Sequence, residues 1–326
     1  MKKTIGFLLI ALLCIALVVG VLVVNGKEET IENAGTVQNA NPRPKFLVYQ
    51  GAEYPIKRSV KTVLLIGTDN QEGYKEVTEG IVPFFSGAQA DFLILVALDT
   101  EAGTAELLQI NRDTMMDVPW LDVLGNYGGT EFQQICLAFY YGDGGRKSCL
   151  NTVDAVSSLL FDAPIDHYIQ VPVTAISVIN DLVGGVPVTM EEDYTKIHPS
   201  FRKGETVLLK GSQAEAFVRA RMGLDDGTNI ARMKRQRQYL DSLQTQAREA
   251  FHSDSQFTVK LLEALSEYLQ SDMTAQQLSD FLTRMDTADI APIRYAEGEL
   301  RATEHYEFYP EEASLWEMVY AAYCGG

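Results

Sequence analysis

The sequence predicts an α/β protein, an α/β/α layered sheet of mixed strand direction preceded by a membrane-spanning helix. Short apolar runs at 63–67 (VLLIG), 92–99 (FLILVALD) and 105–110 (AELLQI) read as strands. Helical segments follow without the strict alternation of a parallel array, which points to mixed strand direction. An uncharged apolar stretch from Ile5 to Val24 supplies the membrane helix.

That stretch covers twenty residues, and at about 1.5 Å rise per residue it reaches roughly 30 Å, the thickness of the hydrocarbon core. A signal peptide, the alternative, has an apolar region of only about 7–15 residues. Cys14 follows Leu13, where a lipoprotein needs a small residue. Lys2 and Lys3 precede the span, so the positive-inside rule keeps the N-terminus in the cytoplasm and sends the rest outside. Residues 1–26 are therefore expected to be tip and anchor. Residues 27–58 are polar, are broken by Asn41-Pro42-Arg43-Pro44, and read as an extracytoplasmic stalk. No second linker follows, so 59–326 is expected to be one domain.

Inside it, the strands at 92–99 and 105–110 are joined by Thr100-Glu101-Ala102-Gly103, a turn that favours an antiparallel hairpin. A glycine-rich segment at 141–145 precedes a helix from about 148 to 160. A strand at 166–171 and a helix at 175–182 closed by Gly184-Gly185 come next. Ser212 with Glu215 three residues on reads as a capping box opening another helix. A longer helix starts after Asn229 and runs towards Glu249. Further helices are expected near 257–269, 274–285 and 311–322, with short strands between them.

The chain has 326 residues, 46% of them apolar, and a net charge of −17. The core is large enough for a folded domain, and the acidity argues against a nucleic-acid partner, which needs a basic face. Outside the span lie Cys136, Cys149 and Cys324, an odd number with no Cys-x-x-Cys spacing. A zinc site is not expected, and which two of them would form a disulfide is open.

Asp69 follows the first strand, Asp91 precedes the second and Arg112 follows the third. If these strands are antiparallel neighbours, all three side chains meet at one edge of the sheet. Two close carboxylates suit a hard divalent cation such as Mg2+ when phosphates share the site. Ordinary turn residues are the other reading.

Between Arg219 and Arg237 stand six basic residues (Arg219, Arg221, Arg232, Lys234, Arg235, Arg237) against Asp225 and Asp226, a net +4 in an acidic chain. Arginine's planar fork matches phosphate oxygens in pairs. Arg219 and Arg221 align only if the helix opened at Ser212 ends near Val218 or Arg219. Arg232, Arg235, Gln236 and Tyr239 share one face of the next helix. A solvated charged face is the competing reading.

At these residues the sequence resembles the LytR-CpsA-Psr family of cell-wall phosphotransferases. The matching order is Leu64-Leu65-Ile66-Gly67-Thr68-Asp69, Ala90-Asp91, Asn111-Arg112-Asp113-Thr114, Tyr141-Gly142 and Ile165-Asp166-His167-Tyr168. It continues with Asp181-Leu182-Val183-Gly184-Gly185-Val186, Val218-Arg219-Ala220-Arg221 and Arg232-Met233-Lys234-Arg235-Gln236. The resemblance implies an apolar tunnel under the sheet for a polyprenyl chain. Asp69 and Asp91 would bind Mg2+; Arg112, Arg219, Arg221 and Arg232 would grip a pyrophosphate, with a hydrogen bond from Gln236. Asp91, Arg112, Arg219 and Arg221 would be the catalytic set. The implied reaction moves a phosphate-linked glycopolymer, of teichoic-acid or capsule type, from a polyprenyl-pyrophosphate carrier to a peptidoglycan sugar hydroxyl. Gln89 stands where the family usually has arginine, Gln134 where it often has lysine, and Asn111 where it usually has proline. Pyrophosphate hydrolysis and catalytically weak lipid or wall-polymer binding are the alternatives. His167 reads as structural rather than as a base. An outward-facing domain cannot reach DNA.

Overall fold

The run VKTVLLIGT becomes a nine-residue strand because its aliphatic side chains can be buried on both faces of a sheet. A computed structural model describes residues 43–69, 87–122, 125–220, 228–254, 256–265 and 268–325. The expected anchor, 1–26, lies outside these residues; among those described, no helix is long and apolar enough to cross a membrane. The chain groups into two units, a sheet unit (Ile31–Val171, Gln270–Met273, Thr287–Gly326) and a helical unit that includes Pro172–Leu269 and Thr274–Asp286.

The sheet unit contributes β1 (Phe46–Tyr49), β2 (Ala52–Pro55), β3 (Val60–Thr68), β4 (Ala90–Asp99), β5 (Thr104–Ile110), β6 (Met115–Leu121) and β7 (Tyr127–Gln134). The helices α1 (Leu137–Tyr140) and α2 (Arg146–Leu159) and strand β8 (His167–Pro172) follow. In the helical unit lie α3 (Ala175–Leu182), β9 (Val186–Thr189), β10 (Thr206–Leu209), α4 (Ser212–Arg219), α5 (Asn229–Ser253) and α6 (Phe257–Leu265). After β11 (Gln270–Ser271) and α7 (Ala275–Thr287), the strands β12 (Asp289–Ile290), β13 (Gly298–Ala302) and β14 (Tyr306–Pro310) and helix α8 (Glu312–Tyr323) end the order.

The central sheet runs β11-β8-β3-β4-β5-β12. Strand β4 is antiparallel to both β3 and β5, and β12 is parallel to β5, so the expected mixed direction holds. The β4–β5 turn closes as expected: Gly103 takes a φ of +66° and Asp99 Oδ1 accepts from the amides of Glu101 and Ala102, both at 3.1 Å. One sheet face, carrying Leu64, Ile66, Leu93, Leu95, Leu108 and Ile110, shares a core with Phe139, Val156, Leu315 and Val319 from α1, α2 and α8. On the other face Val63, Leu65, Ile94, Val96 and Leu107 are also buried.

The expected stalk is too long at its end. Phe46-Leu47-Val48-Tyr49 is a strand-forming run inside a polar window, and it pairs with β2 through Gln50-Gly51, both at positive φ. Leu47 is buried, and the rings of Tyr49 and Tyr54 lie 4.5 and 4.7 Å from that of Trp316. Arg43 ion-pairs with Asp166 and donates to Val60 O at 2.9 Å. Folded structure therefore begins by Arg43, not at Ser59.

The capping box at Ser212 does not form either. Gly211, at φ +49°, takes the cap position and Ser212 is the first helical residue. Gly211 N donates instead to Asp181 Oδ1 at 2.6 Å, and Lys210 N to Gln213 Oε1 at 3.2 Å. The α3 end behaves as read: Gly184 and Gly185 lie at φ +82° and +98°, and their amides return to Asp181 O and Asn180 O. The three cysteines are free thiols.

Candidate functional site

The site on the sheet unit is built at the β3–β4 edge. Register breaks between Gly67, opposite Phe92, and Thr68, opposite Ala90, so Asp91 is the extra residue of a bulge. A bulge turns such a side chain away from the pleat's regular direction. Gly67 allows it: a Cβ there would lie 2.8 Å from Phe92 Cβ.

Beyond the strand, Asp69 N donates to Gln89 O at 3.2 Å and Gln89 N returns a bond to Asp69 Oδ1 at 2.7 Å. Arg112 arrives from β5 on a tight turn, in which Thr114 N and Oγ1 donate to Asn111 O at 3.0 and 2.7 Å and Asp113 N to Asn111 Oδ1 at 3.0 Å. Asn111 thus supplies the turn's acceptors with its own side chain and carbonyl.

Arg112 is nearly buried, 8% exposed. Its Nη1 ion-pairs with Asp91, and its Nη2 donates to Gln89 Oε1 and to Cys136 Sγ, the latter at 2.9 Å. Nε stands 3.3 Å from Asp113 Oδ1 without hydrogen-bond alignment. Burial alone would lower the Arg112 pKa, but the negative charges beside it, those of Asp91 and Asp113 at physiological pH, hold it above its ordinary value, so the group stays cationic. Burial pushes the Cys136 thiol up to about 11 against the pull of Arg112, which leaves it a neutral thiol at physiological pH and a poor nucleophile. The structure thus brings Asp69, Asp91 and Arg112 to one edge, as topology required.

The carboxylates suit a hard cation sparingly. Among the described residues no group of three or more His, Cys, Asp or Glu side chains can hold a metal. Two carboxylates supplemented by phosphate oxygens and water fit Mg2+, which is commonly held that way, and do not fit zinc.

In the helical unit the arginines divide. Helix α4 ends at Arg219, with Ala220 extended after it, as the spacing argument anticipated. Arg219 pairs with Glu215 at 3.1 Å and keeps 42% of its side chain exposed. Arg221 lies outside the described residues. Arg232, Arg235, Gln236 and Tyr239 are all buried, so this face of α5 is not solvated. Arg232 donates to Asn229 Oδ1, and Gln236 to Val218 O at 3.4 Å. Lys234 on the other side is exposed and meets Glu191 at 2.7 Å, as a solvated charge does.

Sequence reasoning missed three partners. Arg235 donates to the carbonyls of Phe217 and Ala220, closing the C-terminal end of α4 with a cation that suits its dipole. Gln89 and Cys136 engage Arg112, although in sequence Gln89 reads only as a lost cation and Cys136 only as a possible disulfide partner. Gln134, the other departure, donates to Asp113 Oδ1 at 3.3 Å and Tyr306 O at 2.6 Å. Two residues distant in sequence from the arginine they touch leave no local periodic signal.

Residues 20–320 match the family model described as the LytR_cpsA_psr family. The chain is similar to the polyisoprenyl-teichoic acid–peptidoglycan teichoic acid transferase TagU of Bacillus licheniformis, 28% identical over 182 residues, 56% of this chain and 50% of that protein. TagU of Halalkalibacterium halodurans is 26% identical over 212 residues, 65% of this chain and 60% of that protein. The chain thus spans about half to three-fifths of the length of these curated relatives. Among solved structures, TagT bound to LI-WTA superposes with a TM-score of 0.59 at 20% identity, over 86% of this chain and 96% of that one. TagV from Bacillus subtilis gives 0.55 at 23% identity, over 82% and 97%. At these identities the likeness is one of fold.

Proposed function

The chain belongs to the LytR-CpsA-Psr family, and from that premise we propose that it transfers a phosphate-linked glycopolymer from a polyprenyl-pyrophosphate carrier to a sugar hydroxyl of peptidoglycan. The acceptor hydroxyl oxygen forms the new O–P bond at the phosphorus that bears the glycopolymer, its proton passes to solvent, the P–O bond of the pyrophosphate bridge breaks, and polyprenyl phosphate leaves. The observation that carries this reading is the convergence of Asp69, Asp91 and a cationic, oriented Arg112 at one sheet edge. Phosphoryl displacement asks mainly for positioning and for neutralised oxygens.

Asp69 and Asp91 are the proposed holders of Mg2+, which supplies charge neutralisation on the pyrophosphate when bound. By the resemblance, Arg112 is assigned to the pyrophosphate, and so are Arg219, Arg221, Arg232 and Gln236. Arg219 supports this best, since it ends its helix half-exposed. The polyprenyl chain is assigned, by the family resemblance, to an apolar tunnel under the sheet. The layered α/β/α arrangement, the anchor at 1–26 and the extracytoplasmic placement belong to the same proposal. The teichoic acid transferase TagU among its relatives and the LI-WTA bound to TagT support a glycopolymer donor.

A weakly catalytic binding protein is favoured by one observation: neither Gln89 nor Gln134 supplies a charge, the first accepting from Arg112 and the second donating to Asp113. The test is the lipid that copurifies with the full chain, identified by mass. A polyprenyl phosphate or pyrophosphate is expected; a preparation without such lipid, and unable to bind it when added, would remove the donor.

A further inference from the structure

We infer that Gln89 is a positioning residue that ties Asp69 to Arg112; the inference rests on the magnesium and pyrophosphate roles proposed above. Its main chain fixes Asp69 twice, through Asp69 N to Gln89 O at 3.2 Å and Gln89 N to Asp69 Oδ1 at 2.7 Å. Its side-chain carbonyl accepts from Arg112 Nη2. The Cys136 thiol also points at that carbonyl, with Sγ 3.9 Å from Oε1, and itself receives Nη2 at 2.9 Å.

The geometry divides the work by atom type. The guanidinium is planar, so anchoring Nη2 on Gln89 and Cys136 sets the direction of Nη1, which lies on Asp91. Only an acceptor can do this. An arginine or lysine at position 89 would place a donor against a donor, and Arg112 would have to turn elsewhere. The main-chain bonds to Asp69 require no particular side chain.

Substituting the side chain should therefore uncouple the two partners. Gln89→Leu keeps most of the volume and removes the acceptor. In the full chain in detergent, manganese serves as a paramagnetic stand-in for Mg2+, and its affinity is read by electron paramagnetic resonance. Inorganic pyrophosphate affinity is read by calorimetry at saturating Mg2+. The expected result is unchanged manganese affinity and a melting temperature lowered by only a few degrees, the cost of one lost hydrogen bond, with pyrophosphate bound about 10-fold more weakly because Arg112 is misdirected. Unchanged pyrophosphate affinity would overturn the inference. Parallel losses of metal, pyrophosphate and melting temperature would also overturn it, because they would make Gln89 a packing residue. A wild-type chain that binds neither probe would refute the proposed function, and the coupling with it.

Discussion

Arg112 and Asp91 form an ion pair across the head of the sheet, one side chain held by the turn after β5 and the other turned out by a bulge in β4. The pair is mostly withdrawn from water, and Asp113 beside it is fully buried. Removing the cation leaves two carboxylates at a low-dielectric edge. Arg112→Ala is expected to lower unfolding free energy by about 3–5 kcal/mol in urea titrations of the detergent-solubilised chain, the cost of stranding buried charge. Arg112→Lys should recover part of it, having the charge without the fork. A loss below about 1 kcal/mol would place the pair with surface ion pairs.

Gly67→Ala tests the bulge. The added methyl meets Phe92 Cβ at 2.8 Å, and both atoms are rigidly attached to paired strands. Overpacking of this kind costs about 1–3 kcal/mol. The same variant should weaken manganese binding, since Asp91 is displaced with its strand. A stable variant with wild-type metal affinity would contradict this view of the bulge.

How much was readable in advance follows from the range of each interaction. The β4–β5 hairpin and the meeting of Asp69, Asp91 and Arg112 follow from strand patterning alone, because an antiparallel order fixes which ends coincide. The stop of α4 at Arg219 was readable because residues two apart cannot share a helix face. The β6–β7 hairpin was not, as Pro119 and Gly128-Gly129 carry weak strand preference. At Ser212 the local motif was present, yet Asp181, thirty residues back, took the amide of Gly211. The Gln89–Arg112 bond is likewise a long-range contact with no local pattern.

The basic run separates by burial. Arg235→Ala removes bonds to Phe217 O and Ala220 O in a residue 3% exposed, and should cost about 1.5–3 kcal/mol in thermal or urea melts. Lys234→Ala removes an exposed pair with Glu191 and should change stability by less than about 1 kcal/mol. Equal losses at both positions would return the whole run to a solvated face.

Asp99 gives a pH signature away from the site. Burial raises its pKa, but hydrogen bonds from Ala102, Ser59, Glu101 and Lys57 outweigh that and lower it from 3.8 to about 2. The folded state therefore favours the carboxylate, and its stabilising contribution is complete above about pH 4. It is lost as pH falls from about 4 to 2 and amounts to roughly 2 kcal/mol. Asp99→Asn should flatten the acid limb of the stability curve in that window; an unchanged limb would show that Asp99 does not titrate there.

The most direct test of the central claim is transfer itself, measured as label moving from a polyprenyl-pyrophosphate-linked glycopolymer onto peptidoglycan by the full chain. With Mg2+ the wild-type chain is expected to label the peptidoglycan. Asp91→Ala should abolish the Mg2+ response and most turnover. Arg219→Ala and Arg221→Ala should each weaken donor binding about 10- to 150-fold, with Arg237→Ala as a near-neutral control. Label released into water, with none on the acceptor, would make the protein a hydrolase. Donor bound by the wild-type chain with no label moved would contradict the transferase account.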